Sequence, residues 1–130
     1  MPDTIDPARR GAVLPDVPHR GPVTLINSFV VPQGREDAFF ALWTATSEYF
    51  RAQKGFTALR LHRALSREAH YRFVNVADWA SSAEFAAAHA TEAFRRVVAQ
   101  PQWQEFASSP ALYEVATRHM AASADPAHSL

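Results

Sequence analysis

The run Tyr71-Arg72-Phe73-Val74-Asn75-Val76-Ala77-Asp78-Trp79 most constrains what this chain can fold into. Its alternation has a period of two, which is the period of a β-strand. Tyr71, Phe73, Asn75, Ala77 and Trp79 share one face; Arg72, Val74, Val76 and Asp78 share the other. The first face is mostly apolar and is expected to meet a core, yet it carries a carboxamide at its centre and an indole at its end. A buried amide without a partner costs about 1–3 kcal/mol. Two readings are open. Asn75 bonds a neighbouring side chain or a buried water, or Asn75 and Trp79 line a pocket and offer N–H donors to a ligand.

The same pattern precedes it. Val23 to Val31 reads as a first strand, with Val23, Leu25, Asn27, Phe29 and Val31 on one face. Asn27 repeats the anomaly of Asn75. Pro32-Gln33-Gly34 turns the chain. Arg35 to Gln53 reads as a helix, because Phe39, Trp43, Thr46 and Phe50 recur at helical spacing with Leu42 alongside. Such a stripe faces a core more often than a cofactor. Lys54 and Gly55 mark the helix end. Phe56 to Leu65 reads as a second strand, with Leu59 and Leu61 on one face and Arg60 and His62 on the other. Ser66-Arg67-Glu68 then folds it back on the third strand, His70 to Trp79, as an antiparallel hairpin.

Ser81 and Glu84 have the spacing of a capping box, so a second helix starts there. It runs through Phe85, Ala88 and His89. Thr91-Glu92 looks like a second start, which places a kink near Ala90 and Thr91, and Pro101 lies beyond the helix end. Trp103 and Phe106 fall in a loop or short turn that covers the sheet. Leu112 to Thr117, after Pro110, reads as the last strand. Residues 1–22 hold five of the nine prolines and read as an extended arm, either disordered or laid across a neighbour, with Ala12-Val13-Leu14 as an anchor. Residues 23–120 form the domain, and 121–130 a frayed tail.

The order β-α-β-β-α-β is the ferredoxin-like plan of the α+β class, four antiparallel strands with two helices on one face. The other face carries Ile26, Val30, Val74 and Val76, and with Leu59 and Leu61 it looks too apolar for water, so a homodimer joined sheet to sheet as an α/β barrel is expected.

Composition excludes several classes. Thirteen basic side chains balance thirteen acidic ones, which gives no electrostatic reason to bind nucleic acid or an anionic membrane. The absence of cysteine removes thiolate nucleophiles, iron–sulfur clusters and cysteine zinc sites, and fits the cytoplasm. No apolar run approaches the ~20 residues of a membrane span. The four glycines, at 11, 21, 34 and 55, cannot form a dinucleotide or phosphate loop. A two-histidine, one-carboxylate iron site from His62, His70 and Asp78 is conceivable, but nothing fixes the three ligands to one point. His89, beside apolar residues, reads as a satisfied or half-exposed histidine. No metal and no cofactor are expected.

Asn27 within the first strand, the turn Val31-Pro32-Gln33-Gly34, Gly55-Phe56, and Val74-Asn75-Val76-Ala77-Asp78-Trp79-Ala80-Ser81 resemble the antibiotic biosynthesis monooxygenase domain. The resemblance spans about residues 23–117. It implies oxygenation of an anthrone- or phenol-type aromatic polyketide with O2 and no cofactor, with Asn27, Asn75 and Trp79 at the catalytic positions. An arginine of the family corresponds to Arg95 or Arg96; Phe39, Trp43, Phe73, Phe85 and His62 are further candidate substrate contacts. A tyrosine of some members falls on Phe85 here. The haem-degrading branch places its iron-binding histidine near Val98, about two and a half turns beyond His89, which argues against haem. A quinol monooxygenase, a polyketide cyclase and a non-catalytic ligand-binding accessory protein remain the alternative readings.

Overall fold

The alternating runs become the two central strands of one antiparallel sheet. The computed structural model describes residues 13–15 and 19–122. Its elements are β1 (Val23–Val30), α1 (Glu36–Arg51), β2 (Phe56–Arg63), β3 (Phe73–Trp79), α2 (Ser82–Ala88), α3 (Glu92–Val98), a 3-10 turn (Pro101–Glu105) and β4 (Ala107–Tyr113). The strand order is β2-β3-β1-β4. This is the ferredoxin-like fold, with the second helix divided in two.

The division is local chemistry. Ser81 caps α2, its Oγ accepting from the Glu84 N–H at 3.1 Å and donating to the Glu84 carboxylate. Thr91 caps α3 by accepting from the Phe94 N–H at 2.9 Å. Tyr49 of α1 clasps the break. Its hydroxyl donates to the Ala88 carbonyl and accepts from the Thr91 hydroxyl, both at 2.5 Å. Gly55 has φ +88°, and a Cβ there would lie 2.5 Å from the Glu84 side chain, so both its backbone and the close approach of α2 require glycine.

Register places the sheet's side chains in rows, because directly opposed residues share a face. Leu61, Asn75, Asn27 and Pro110 form one row; Leu59, Ala77, Leu25 and Leu112 form the next, so strand alternation turns Leu59 and Leu61 to the core and not to the outer face where the sequence reading put them. The last strand begins at Ala107 and includes Pro110, five residues earlier than the sequence expectation. Proline lacks a ladder donor, but β4 is an edge strand and bonds one neighbour only, which is where proline is tolerated. The third strand starts at Phe73 rather than His70, and the second ends at Arg63.

The core lies between this face and the helices, in two clusters. The first gathers Phe29, Val31, Phe39, Leu42, Phe73 and Phe106, with Trp43 and Trp103 packed against it. Phe39 is fully buried, 4.7 Å from the Phe73 ring and 4.9 Å from Phe29. The second gathers Val23, Ala77, Trp79, Phe85 and Ala88, with Phe50, Phe56, Leu59 and Val13 around it. Val13 is thus anchored on its own chain. Ala12 and the rest of residues 1–12, with 16–18 and 123–130, lie outside the described residues.

Candidate functional site

The two clusters do not merge because a polar layer separates them. Asn27 and Asn75 face each other across β1 and β3, one row from Phe29 and Phe73 of the first cluster and one row from Leu25 and Ala77 of the second. Both Oδ1 atoms are buried and have no hydrogen-bond partner among the described residues. Helix α1 repeats the division. Phe39, Leu42 and Trp43 belong to the first cluster and Phe50 to the second; between them, Thr46 is buried with its Oγ1 also unpartnered. Buried polar atoms are nearly always satisfied, so this concentration on one layer is a departure from the rule. The carboxamide oxygen and nitrogen exchange places by a half-turn of the side chain, so each asparagine can present an acceptor or a donor there.

Trp79 lies four residues along β3 from Asn75, about 13 Å at ~3.3 Å per residue. It is 2% exposed, and its Nε1–H is buried with no hydrogen-bond partner among the described residues. Phe50, Phe56 and Phe85 meet the indole nearly edge-on at 6.2, 5.5 and 5.6 Å between centroids. Trp103 carries another buried, unpartnered indole N–H in the first cluster.

Phe39, Trp43 and Phe73 gather in the first cluster and Phe85 in the second, beside Trp79. His62 is not brought to them. It is exposed opposite Val74 on the outer face, its ring Nδ1 3.3 Å from the Val74 carbonyl, because strand alternation turns it away from Asn75. Arg95 is exposed in the last turn of α3, as is Arg96. A cleft of about 180 Å³ lies instead between the arm and the β1–β4 end, lined by Val13, His19, Val23, Leu112, Tyr113 and Glu114 among others. It does not touch the asparagine pair.

His89 is a half-buried histidine with one ring nitrogen satisfied, as the sequence reading expected, but its place beside Trp79 was not foreseen. It caps α2 at the C-terminus, and its Nδ1 lies 2.7 Å from the Phe85 carbonyl. Its ring packs 4.0 Å from Phe85, 4.8 Å from Phe94, 5.0 Å from Phe50 and 6.2 Å from Trp79. Burial pushes its pKa below the ordinary 6.5, while the Phe85 carbonyl pulls weakly upward. The available signal was its position four residues after Phe85, on the same helix face.

Among the described residues, no group of three or more His, Cys, Asp or Glu side chains is placed to hold a metal ion. Asp78 accepts from Thr24 at 2.9 Å and does not meet His62 or His70 in such a group. No described helix is long and apolar enough to cross a membrane.

A ferredoxin-like sheet with two asparagines opposed in a polar layer defines a small α+β protein. The chain belongs to the antibiotic biosynthesis monooxygenase family, whose profile matches residues 22–100. It is similar to a presumed monooxygenase from Shewanella loihica, with 32% identity and a TM-score of 0.67 over 77% of this chain and 99% of that one. It is also similar to SnoaB, a cofactor-independent oxygenase from Streptomyces nogalater, with 25% identity and a TM-score of 0.64 over 78% of this chain and 98% of that one. HapK from Hahella chejuensis, at 22% identity and a TM-score of 0.59 over 76% and 98%, shares the fold. No curated protein sequence matches.

Proposed function

We propose that this member of the monooxygenase family oxidises an anthrone- or phenol-type aromatic polyketide with O2, without metal, flavin or haem, in antibiotic biosynthesis. The observation that carries the reading is the Asn27–Asn75 pair with both Oδ1 atoms buried and unpartnered, on the same sheet face as the unpartnered Trp79 N–H. The similarity to a cofactor-independent oxygenase supports it.

An electron-rich anthrone supplies its own reducing power. Loss of a proton gives an enolate that passes electrons to dioxygen, so the protein has three tasks: to bind a flat apolar molecule, to stabilise the enolate oxygen and to hold reduced oxygen. The aromatic side chains of the two clusters, Phe39, Trp43, Phe73 and Phe85 among them, suit the first. Asn27 and Asn75 suit the second as amide donors, and Trp79 suits the third. An anthrone's carbonyl oxygen and its reactive methylene lie across the central ring from each other. Donors for the enolate and for oxygen must therefore be separate groups, as Asn75 and Trp79 are on β3.

The outer sheet face, with Ile26 opposite Val76 and Ser28 opposite Val74, is the surface that joins a second copy in this reading. His62 and Arg95 then act only at the rim or across that contact.

The test is product analysis with an anthrone in air and chelator present. A quinone formed faster than by spontaneous oxidation, and lost in Asn75→Ala, supports the reading. A requirement for added iron, haem or flavin overturns it, and binding without oxidation points to the accessory alternative.

A further inference from the structure

The reaction just described needs a proton acceptor, and neither asparagine nor tryptophan can be one at neutral pH. We propose that His89 is that acceptor, taking the substrate's proton at Nε2 on the Trp79 side of the site. The proposal rests on the reading of the site as an anthrone or phenol oxygenase.

The tautomer carries the argument. A ring nitrogen 2.7 Å from a carbonyl oxygen must be the N–H, so Nδ1 donates to Phe85 and, in the neutral ring, the lone pair is left on Nε2. None of the described hydrogen bonds uses Nε2. The ring is held by Phe50, Phe85 and Phe94, and two of these, Phe50 and Phe85, also hold the Trp79 indole. His89 and Trp79 thus share two aromatic neighbours, with their ring centroids 6.2 Å apart. The methylene that loses the proton is the carbon that meets oxygen, so base and oxygen-binding donor belong at the same end.

Among the described residues, no charge competes for the ring. From α1 the titratable neighbour is Tyr49, whose hydroxyl is committed to Ala88 and Thr91. From β3 it is Trp79 that faces inward, and Asp78 is exposed and bonded to Thr24. From α3 it is Phe94, while Glu92, Arg95 and Arg96 are exposed. From α2 itself, Glu84 is held by Ser81. Desolvation is the largest influence on His89, and it keeps the ring neutral and ready to accept.

The step balances. The methylene C–H bond breaks, its electron pair stays on the substrate as the enolate, and an N–H bond forms at Nε2. The enolate reduces dioxygen and forms a C–O bond, and the peroxide takes the proton back from the imidazolium. His89 then removes the remaining C–H proton as the O–O bond breaks, and the imidazolium protonates the departing hydroxide. One CH2 and one O2 become C=O and H2O, and His89 ends neutral.

The test is the pH profile of kcat/KM for an anthrone, in air with chelator, for the wild type and His89→Asn. Asparagine keeps a donor near Nδ1 and removes Nε2. The expected wild-type profile has an acid limb with a midpoint below 6.5. His89→Asn is expected to lose that limb and about 10²-fold or more in kcat/KM, while binding of an anthraquinone product is retained. A variant that keeps both rate and limb overturns the proposal. Should the variant fail to fold, nitrogen NMR of the wild type decides: Nδ1–H in the free protein with an Nε2 shift on anthraquinone binding is expected, and the opposite tautomer or no shift overturns it. An inactive wild type removes the oxygenase reading and His89's role together; an active wild type with an unaffected variant removes His89's role alone.

Discussion

Asn27 and Asn75 stand directly opposite each other across the two central strands, both with buried, unpartnered Oδ1 atoms, in the layer that divides the hydrophobic core in two. An arrangement that only served stability would pair them or replace them. We therefore expect Asn75→Leu, close in size and fully apolar, to stabilise the fold by ~1–2 kcal/mol, a rise of several degrees in Tm, and to cut anthrone turnover at least tenfold. Thermal melts beside rate measurements check this. A variant that is both less stable and fully active contradicts it.

Trp79→Phe separates packing from donation. The phenyl ring keeps contact with Phe50, Phe56 and Phe85 but loses the unpartnered N–H. Turnover is expected to fall by about 10²-fold, the scale of a lost oxyanion-type donor, with the smaller ring costing at most ~3 kcal/mol of stability. The comparison of kcat with the denaturation midpoint decides.

How much of this was legible beforehand differs by residue. Asn27, Asn75 and Trp79 were visible because strand alternation assigns faces with no knowledge of the partners. The break at Thr91 was visible because a cap is a local signal. Pro110 misplaced the last strand, since proline's tolerance depends on whether the strand is an edge, which only topology decides. Thr46 read as one more member of an apolar helix stripe; its significance comes from lying level with the seam between two clusters. His89 gave no sequence sign of the carbonyl that fixes its tautomer or of the cage from α1 and α3.

His89 makes stability depend on pH. Its pKa is lower in the folded chain than the ordinary 6.5, so below pH 6.5 the unfolded chain binds more protons than the folded one. The stability is full above pH 6.5 and is lost as pH falls toward the folded pKa, after which this contribution is flat. Melts between pH 7.5 and 5 are expected to show the decline, and His89→Asn to flatten it.

Gly55→Ala tests the packing of α2 against the strand end. It strains a φ of +88° and drives a Cβ against Glu84, so a loss of at least ~1–2 kcal/mol is expected. Chemical denaturation reads it, and an unchanged midpoint contradicts the assigned contact.

Val76→Asp tests the proposed assembly. Val76 lies opposite Ile26 on the outer face. A charge there is expected to turn a dimer into monomers in sedimentation analysis without unfolding the chain, and a wild type that sediments as a monomer contradicts the pairing.

The most direct measurement follows 18O2 into the product of an anthrone, with metal-free protein and its Asn27→Ala, Asn75→Ala and Trp79→Phe variants. The account predicts a quinone carrying one 18O atom, formed well above the spontaneous rate by the wild type and near that rate by the three variants. Background-rate oxidation by the wild type, or undiminished 18O incorporation in all three variants, would contradict it.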